Sequence, residues 1–307
     1  MTDEQKKKTV TEWSFSFEKI GESLSDLFNS LGAGADAEVK TGSYQEPIAA
    51  AESARVTLNP TVGEASVSAL VDSDSLIEAD VTYVGEVTFE VDEGDAFKEV
   101  HLGQRPLSGG EALKPIKDAF GAFAKRKDLR WDMHLTPNIP LDLTINSGMT
   151  SNDFDLSSLQ LKGLRFNGGA GRTDIKLPTM GALYRVTLSN GTGELNVEIG
   201  AGADVDLTAS NGTGRTRITL GDGAVMNARI SGGVGACEIA LPPGIEVQVR
   251  ANSGLGKVHV PAHFARQDEG KDFIATSGTW QTPGYDSAER RIAIKYDGGL
   301  GSLMITQ

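Results

Sequence analysis

The chain is poor in the residues that most often announce a chemistry. One cysteine, Cys237, stands in 307 residues, which excludes an intramolecular disulfide framework and leans toward a reducing compartment. Its simplest role is that of a small apolar filler. Basic charge is also short, with 29 Lys and Arg against 42 Asp and Glu and a net charge of -13. Nucleic acid and anionic lipid surfaces both need a basic footprint, so neither is expected as a bulk partner. The deficit is uneven, because the first 131 residues carry 24 acidic and only 14 basic side chains.

Long apolar runs are missing as well. No window approaches the roughly 18 to 20 apolar residues of a membrane span, and the opening MTDEQKKKTVTEW lacks the apolar core of a signal peptide. The expectation is a soluble, cytoplasmic protein.

Catalytic signatures are absent in the same way. GTGELN and GTGRTR lack the third glycine of a dinucleotide fingerprint, and no G-x-x-x-x-G-K-[ST] or Gly-x-Ser-x-Gly occurs. The stretch Gly168-Gly-Ala-Gly-Arg-Thr-Asp174 approaches a calcium-binding nonapeptide, but its Asp falls one residue late. Of the four histidines, His259 and His263 have metal-ligand spacing only in a helix, and Pro261 lies between them. Solvated histidines are the expectation. Asp174, Arg217 and Glu238 share one outward register with Asn196 and His259, the pattern of ordinary surface. No catalytic, cofactor-binding or metal-binding residue is assigned, and the chain is expected not to be an enzyme.

What the chain does have is glycine, 37 residues against 6% aromatics, which suits many tight turns between short aliphatic strands. From Trp131 onward the glycines are periodic. The anchors Gly148, Gly169, Gly191, Gly212, Gly233, Gly254, Gly278 and Gly299 are separated by 21, 22, 21, 21, 21, 24 and 21 residues. Five and three residues before each anchor sit apolar pairs such as Leu164/Phe166 and Val186/Leu188, alternating with polar neighbours as in a half-buried strand. A second strand follows, with Ile175/Leu177, Val197/Ile199, Ile218/Leu220 and Ile239/Leu241 facing inward. Two residues before each anchor stands a small polar residue: Asn146, Asn167, Ser189, Ser210, Ser231, Asn252, Thr276 and Asp297. Such side chains bond local backbone in a corner, or one another when stacked. Three residues after the anchors, Arg172, Glu194 and Arg215 would form ion pairs between adjacent coils.

Two architectures produce this pattern. Asn190-Gly191 and Asn211-Gly212 are strong hairpin signals and fit an antiparallel meander. Near-equal periods with one residue class at one register are what a parallel β-solenoid demands. The solenoid is favoured, and the last residues, LMITQ, then read as a terminal strand with no obvious cap.

The expected fold is therefore all-β, a parallel β-solenoid with coils of about 21 residues, plus two helical additions. Residues 1–35 form an amphipathic helix on Trp13, Phe17, Ile20, Leu24, Leu27, Phe28 and Leu31, followed by a linker over 36–53. Residues 54–105 hold further β repeats, 106–130 a helical insert on Leu113, Ile116, Phe120 and Phe123, and 131–307 the main repeats. The polar face of the first helix, with Glu18, Glu22 and Asp26, has the wrong sign for anionic lipid. Packing on protein is favoured there; peripheral membrane contact through Trp13–Leu31 is the alternative.

The segments WDMHLTPNIPLDL from Trp131, NDFDLSSL from Asn152 and NGGAGRTDIKLP from Asn167 resemble the C-terminal domain of bacterial LiaF-like proteins. These are also called cell-wall-active antibiotic response or toast-rack proteins, and they border the adhesin-type solenoids. ARVTLNPTVGEASVSALVDSDSLIEADVTYVGEV from Ala54 resembles the N-terminal toast-rack portion, so the likeness covers Ala54 to Gln307 apart from 106–130. The resemblance implies a β-solenoid and, for LiaF members, regulation of envelope-stress signalling through membrane-embedded N-terminal helices, which this sequence does not contain. The expected function is a non-enzymatic scaffold that binds a protein partner or itself. A self-assembling, filament-forming or adhesin-like structural protein is the alternative, and a glycan-active β-helix enzyme the third.

Overall fold

The computed structural model describes residues 39–105, 129–268 and 276–307. The helix expected over 1–35 and most of the insert expected over 106–130 lie outside the described residues. The first strands are β1 (Val39–Pro47), β2 (Ser53–Asn59), β3 (Val62–Ala69), β4 (Ser75–Val84), β5 (Glu86–Glu93), β6 (Phe97–Arg105) and β7 (Arg130–Leu135). Five long rungs follow: β8 (Leu141–Asp155), β9 (Leu161–Leu177), β10 (Tyr184–Ile199), β11 (Asp204–Leu220) and β12 (Val225–Ala240). The chain then forms β13 (Glu246–Ser253), β14 (Val258–His259), β15 (Ala265–Arg266), β16 (Thr276–Gln281), a 3-10 turn at Tyr285–Ser287, and β17 (Arg291–Thr306).

Each long rung is one strand bent at a glycine corner, Gly148-Met-Thr in β8 and a Gly-x-Gly in β9 to β12. In β10, Tyr184, Val186, Leu188 and Asn190 are buried before the corner, and Leu195, Val197 and Ile199 after it. The inward set changes from even to odd numbers, so the two halves face each other across one core. Phe154, beyond the corner of β8, meets Phe166, before the corner of β9, with ring centroids 5.9 Å apart. All the rungs from β8 to β12 pair in parallel, as in Val186↔Leu207 and Val197↔Ile218. Parallel pairing overturns the meander. The Asn-Gly pairs are corners within a rung, and the next strand is reached by short turns such as Gly200–Ala203.

The glycine column explains how rungs come this close. A Cβ on Gly191 would stand 2.4 Å from the Gly169 carbonyl oxygen, and one on Gly193 would stand 1.9 Å from that of Gly171. At Gly193 the backbone also has φ +127°, a conformation that side chains rarely adopt. The period is thus a packing requirement repeated once per rung.

The order of rungs departs from chain order after β12. The C-terminal strand β17 pairs in parallel with β12 on one side (Ile230↔Tyr296) and with β13 on the other (Val249↔Ile294). Gly299 therefore sits between Gly233 and Gly254 in the column, where a Cβ on Gly254 would lie 3.0 Å from the Gly299 oxygen. The expected Gly278 coil is no rung at all, since β16 runs antiparallel to β13 with Ala251↔Gly278. Its sequence carries the reason. Trp280 holds the place of the second glycine, where a Cβ on Gly256 would come within 1.5 Å of the Gly301 oxygen.

LMITQ is likewise not an open edge, because Leu303 and Met304 lie between β12 and β14. This end of the stack is closed by Phe264 and Trp280, at 6% and 9% exposure, and by the antiparallel pair β15 and β16.

At the other end β8 divides its partners, pairing with β2 before the corner and with β3 after it. Beyond β2 come β6 and then β5; beyond β3 come β7, β4 and β1. The first strands and the long rungs share a single hydrophobic core. Lys98 points into the end of that core, held by Glu46 of β1 and by Glu93 of β5 at 2.8 Å. Burial opposes its charge, but the hydrogen bonds it donates to these carboxylates outweigh that and leave the ammonium pKa raised.

Candidate functional site

Side chains that alternate with the buried ones point outward, and parallel register lines them up in columns. On the half of the stack beyond the corner, one column reads Asp80, Asp132, Ser66, Asp153, Asp174, Asn196, Arg217 and Glu238. An open groove of about 920 Å³ on this face runs across β7, β3 and β8 to β11. Its charged lining consists of Glu64, Asp132, Asp153, Asp174 and Glu198 with Arg130, Arg172, Lys176 and Arg217.

Every base of the groove is engaged. Arg130 pairs with Asp132 at 2.5 Å, Arg172 with Asp174 at 2.7 Å, Lys176 with Asp155 at 3.4 Å, and Arg217 with Glu238 at 2.8 Å. The expected ion pairs between rungs form, Arg172 to Glu194 at 3.5 Å and Arg215 to Glu194 at 3.8 Å. The basic partners are all at least half exposed, so these pairs fix side-chain positions more than they stabilise the fold. Among the described residues the carboxylates of Glu64, Asp153 and Glu198 have neither a hydrogen-bond nor an ion-pair partner. Among the described residues the groove is a lattice of paired charges with three carboxylates left over.

The groove's Asp174 is displaced away from proton donation. Hydrogen bonding from Arg172, and then from Asn196, holds the Asp174 carboxyl below its usual range, and Ser157 does the same for Asp155. A general acid would need the opposite displacement. Elsewhere, burial pushes the Cys237 thiol up to about 12, so it stays protonated inside the core. Tyr296 is likewise raised by burial to about 12. His101 is lowered by burial.

The residues singled out in the sequence fall into place. Asp174, which ends the calcium-like stretch, gives both oxygens to Arg172 and accepts from Asn196 at 2.8 Å. His259 lies on β14, while His263 bonds Gln307 at 2.9 Å and packs edge-on to Phe264. The two histidines do not converge. Among the described residues, no group of three or more His, Cys, Asp or Glu is placed to hold a metal ion.

The small polar position forms a ladder in part. Asn167 Nδ2 donates to Asn146 Oδ1, and Asn146 Nδ2 to Asn59 Oδ1, both at 2.7 Å; Ser210 donates to Ser189 at 3.2 Å. A second, inward ladder joins Asn190 to Asn211 and Asn211 to Thr216, so the Asn of each Asn-Gly serves the corner from within.

Sequence reasoning missed two features. The groove crosses strands that pair out of chain order, so no period marks it. Lys98 carried a readable signal, since Val100 and Leu102 put it on the buried face.

Comparison with known families and structures gives three results. The family model described as "N-terminal domain of toast_rack, DUF2154" matches residues 34–198. No curated protein matches the chain. Among solved structures, the chain is similar to a candidate cell adhesion protein from Clostridium sporogenes, with 19% identity, a TM-score of 0.47 and coverage of 88% of this chain and 100% of that one. It is also similar to a candidate adhesin from Bacteroides fragilis, with 11% identity, a TM-score of 0.35 and coverage of 87% and 97%.

Proposed function

Because this chain belongs to the toast-rack family, whose N-terminal domain spans residues 34–198, we propose that it is a non-enzymatic scaffold that binds a protein partner through the charged groove. The carrying observation is the state of the groove charges. All four bases are already paired, whereas Glu64, Asp153 and Glu198 present carboxylates with no partner among the described residues. A surface fixed in this way favours a partner segment carrying Lys or Arg and disfavours an acidic one. A role in bacterial envelope-stress signalling is the context we infer from the family.

The test is capture of non-covalently bound partners by the full chain and by the variant Asp153→Lys/Glu198→Lys. Both side chains are exposed, so the variant keeps the fold. The wild type is expected to capture a partner that 0.5 M salt releases and that the variant does not retain. Equal capture by both proteins, or turnover of a glycan, would sink the reading.

Self-association is a second reading with its own observation. The middle residue of the Gly-x-Gly is Ala170, Thr192 and Thr213 in β9 to β11, but Val234, Leu300 and Leu255 in the next three positions of the stack. These three are 49%, 52% and 56% exposed and form a short apolar ridge flanked by glycines.

A further inference from the structure

The column of small polar residues ends, beyond the long rungs, on a titratable ring. Asn167 on β9 donates to Asn146 on β8, and Asn146 donates to Asn59 on β2, both at 2.7 Å. Asn59 Nδ2 then meets His101 Nε2 on β6 at 3.2 Å. Gly103 leaves room for this contact, since a Cβ there would stand 2.8 Å from the Asn59 Cβ and 3.2 Å from His101 Nε2. All four polar side chains are half-buried, so water only partly replaces a lost partner.

The three amides point the same way, and that polarity fixes the state of the ring. An amide nitrogen only donates, so His101 Nε2 must accept, and the ring is neutral with its proton on Nδ1. A protonated ring carries N–H at both positions and would aim Nε2–H at the N–H of Asn59. Turning Asn59 over by itself does not remove the conflict, because its Nδ2 would then face Nδ2 of Asn146. The clash passes from amide to amide until Asn167 has turned too. There it ends, since the register partner of Asn167 on β10 is Ser189, whose hydroxyl donates or accepts as required.

We propose that His101 is a proton-operated switch for this ladder: uptake of one proton at Nε2 reverses Asn59, Asn146 and Asn167 together. In the reversed ladder His101 Nε2 donates to Asn59 Oδ1, Asn59 Nδ2 to Asn146 Oδ1, and Asn146 Nδ2 to Asn167 Oδ1. Every bond between neighbours is kept, and the first gains the strength of a charged donor. Breaking the ladder at His101 instead would leave two N–H groups facing each other in a partly buried site. The strands lie in the order β6, β2, β8, β9 and β10. A proton bound at β6 is thereby registered at β10, four strand spacings or about 19 Å away. The ladder lies on the half of the stack before the corner, so it does not depend on what the groove binds.

The charges around the ring decide where it switches. Glu90 on β5 stands directly opposite His101, with Asp92 two residues further along that strand, and Glu99 lies two residues before the ring on β6. On β2, Arg55 is held by Glu99 at 3.3 Å and by Asp142 of β8 at 3.6 Å. Burial opposes the charged ring more strongly than Glu90 and Glu99 favour it, and holds the pKa below the ordinary 6.5.

Side-chain NMR of the full ¹⁵N-labelled chain, followed from about pH 8 to about pH 4, tests the switch. At neutral pH His101 Nε2 is expected to appear as the unprotonated nitrogen. On acidification the side-chain amide signals of Asn59, Asn146 and Asn167 are expected to shift in one step that shares the midpoint of His101, below 6.5. His101→Gln, which takes up no proton, is expected to abolish that step, which separates it from titration of the nearby carboxylates. Asn146→Ala is expected to keep the step at Asn59 and remove it at Asn167. A proton on Nε2 at neutral pH, or no common step, would overturn the proposal. So would a wild-type step confined to Asn59, which would make the change a local break, or a step that survives His101→Gln.

Discussion

Alanine at Gly193 lowers stability by about 3–5 kcal/mol, whereas alanine at Gly202 costs about 1 kcal/mol. Both glycines have positive φ, +127° and +75°. The difference lies in what a methyl group meets. At Gly202 nothing stands within 4 Å, so only the backbone preference is lost. At Gly193 the new Cβ would lie 1.9 Å from the Gly171 oxygen and 2.9 Å from its carbonyl carbon. Those atoms belong to the neighbouring rung, which is itself held by β8, so relief requires separating rungs rather than turning a side chain. Urea unfolding of the two variants checks this, and equal losses would show that the column does not set the rung spacing.

The second large effect is removal of β17. Ile292, Ile294, Tyr296, Leu303 and Ile305 are all at most 3% exposed. At about 1.5–3 kcal/mol each, their burial contributes roughly 8–15 kcal/mol, as much as the whole net stability of a typical domain. Removing them also leaves β12 with β11 on one side only and β13 without its parallel partner. A chain ending at Arg290 is expected to lose its cooperative thermal transition and to aggregate through the bared edges. A stack in chain order would behave otherwise, shortening by one terminal coil and keeping a soluble, folded remainder.

These two cases show what a period in the sequence does and does not carry. In-register parallel pairing makes like positions coincide, so the apolar pairs, the polar corner and the Arg172–Glu194–Arg215 contacts are all readable in the sequence. Rung order was not readable, because Val249/Ala251 and Ile294/Tyr296 alternate alike and either could lie on β12. The Gly278 unit could have been excluded, since Trp280 breaks the one position that tolerates no side chain. The groove was illegible for a related reason. Asp132 and Asp153 become neighbours of Ser66 only through pairings that jump between β7, β3 and β8.

The direct test of the interleaved stack is a pair of engineered disulfides. Arg229, Arg250 and Lys295 all stand four residues before an anchor glycine, outward on their rungs. In the structure Lys295 pairs with Arg229 on β12 and with Arg250 on β13, which places it between them. Neighbouring parallel strands lie about 4.8 Å apart, within disulfide reach, and next-but-one strands do not. Native Cys237, buried and protonated, does not compete. Mild oxidation is predicted to cross-link Arg229→Cys/Lys295→Cys and to leave Arg229→Cys/Arg250→Cys reduced; the reverse result would contradict the interleaved order.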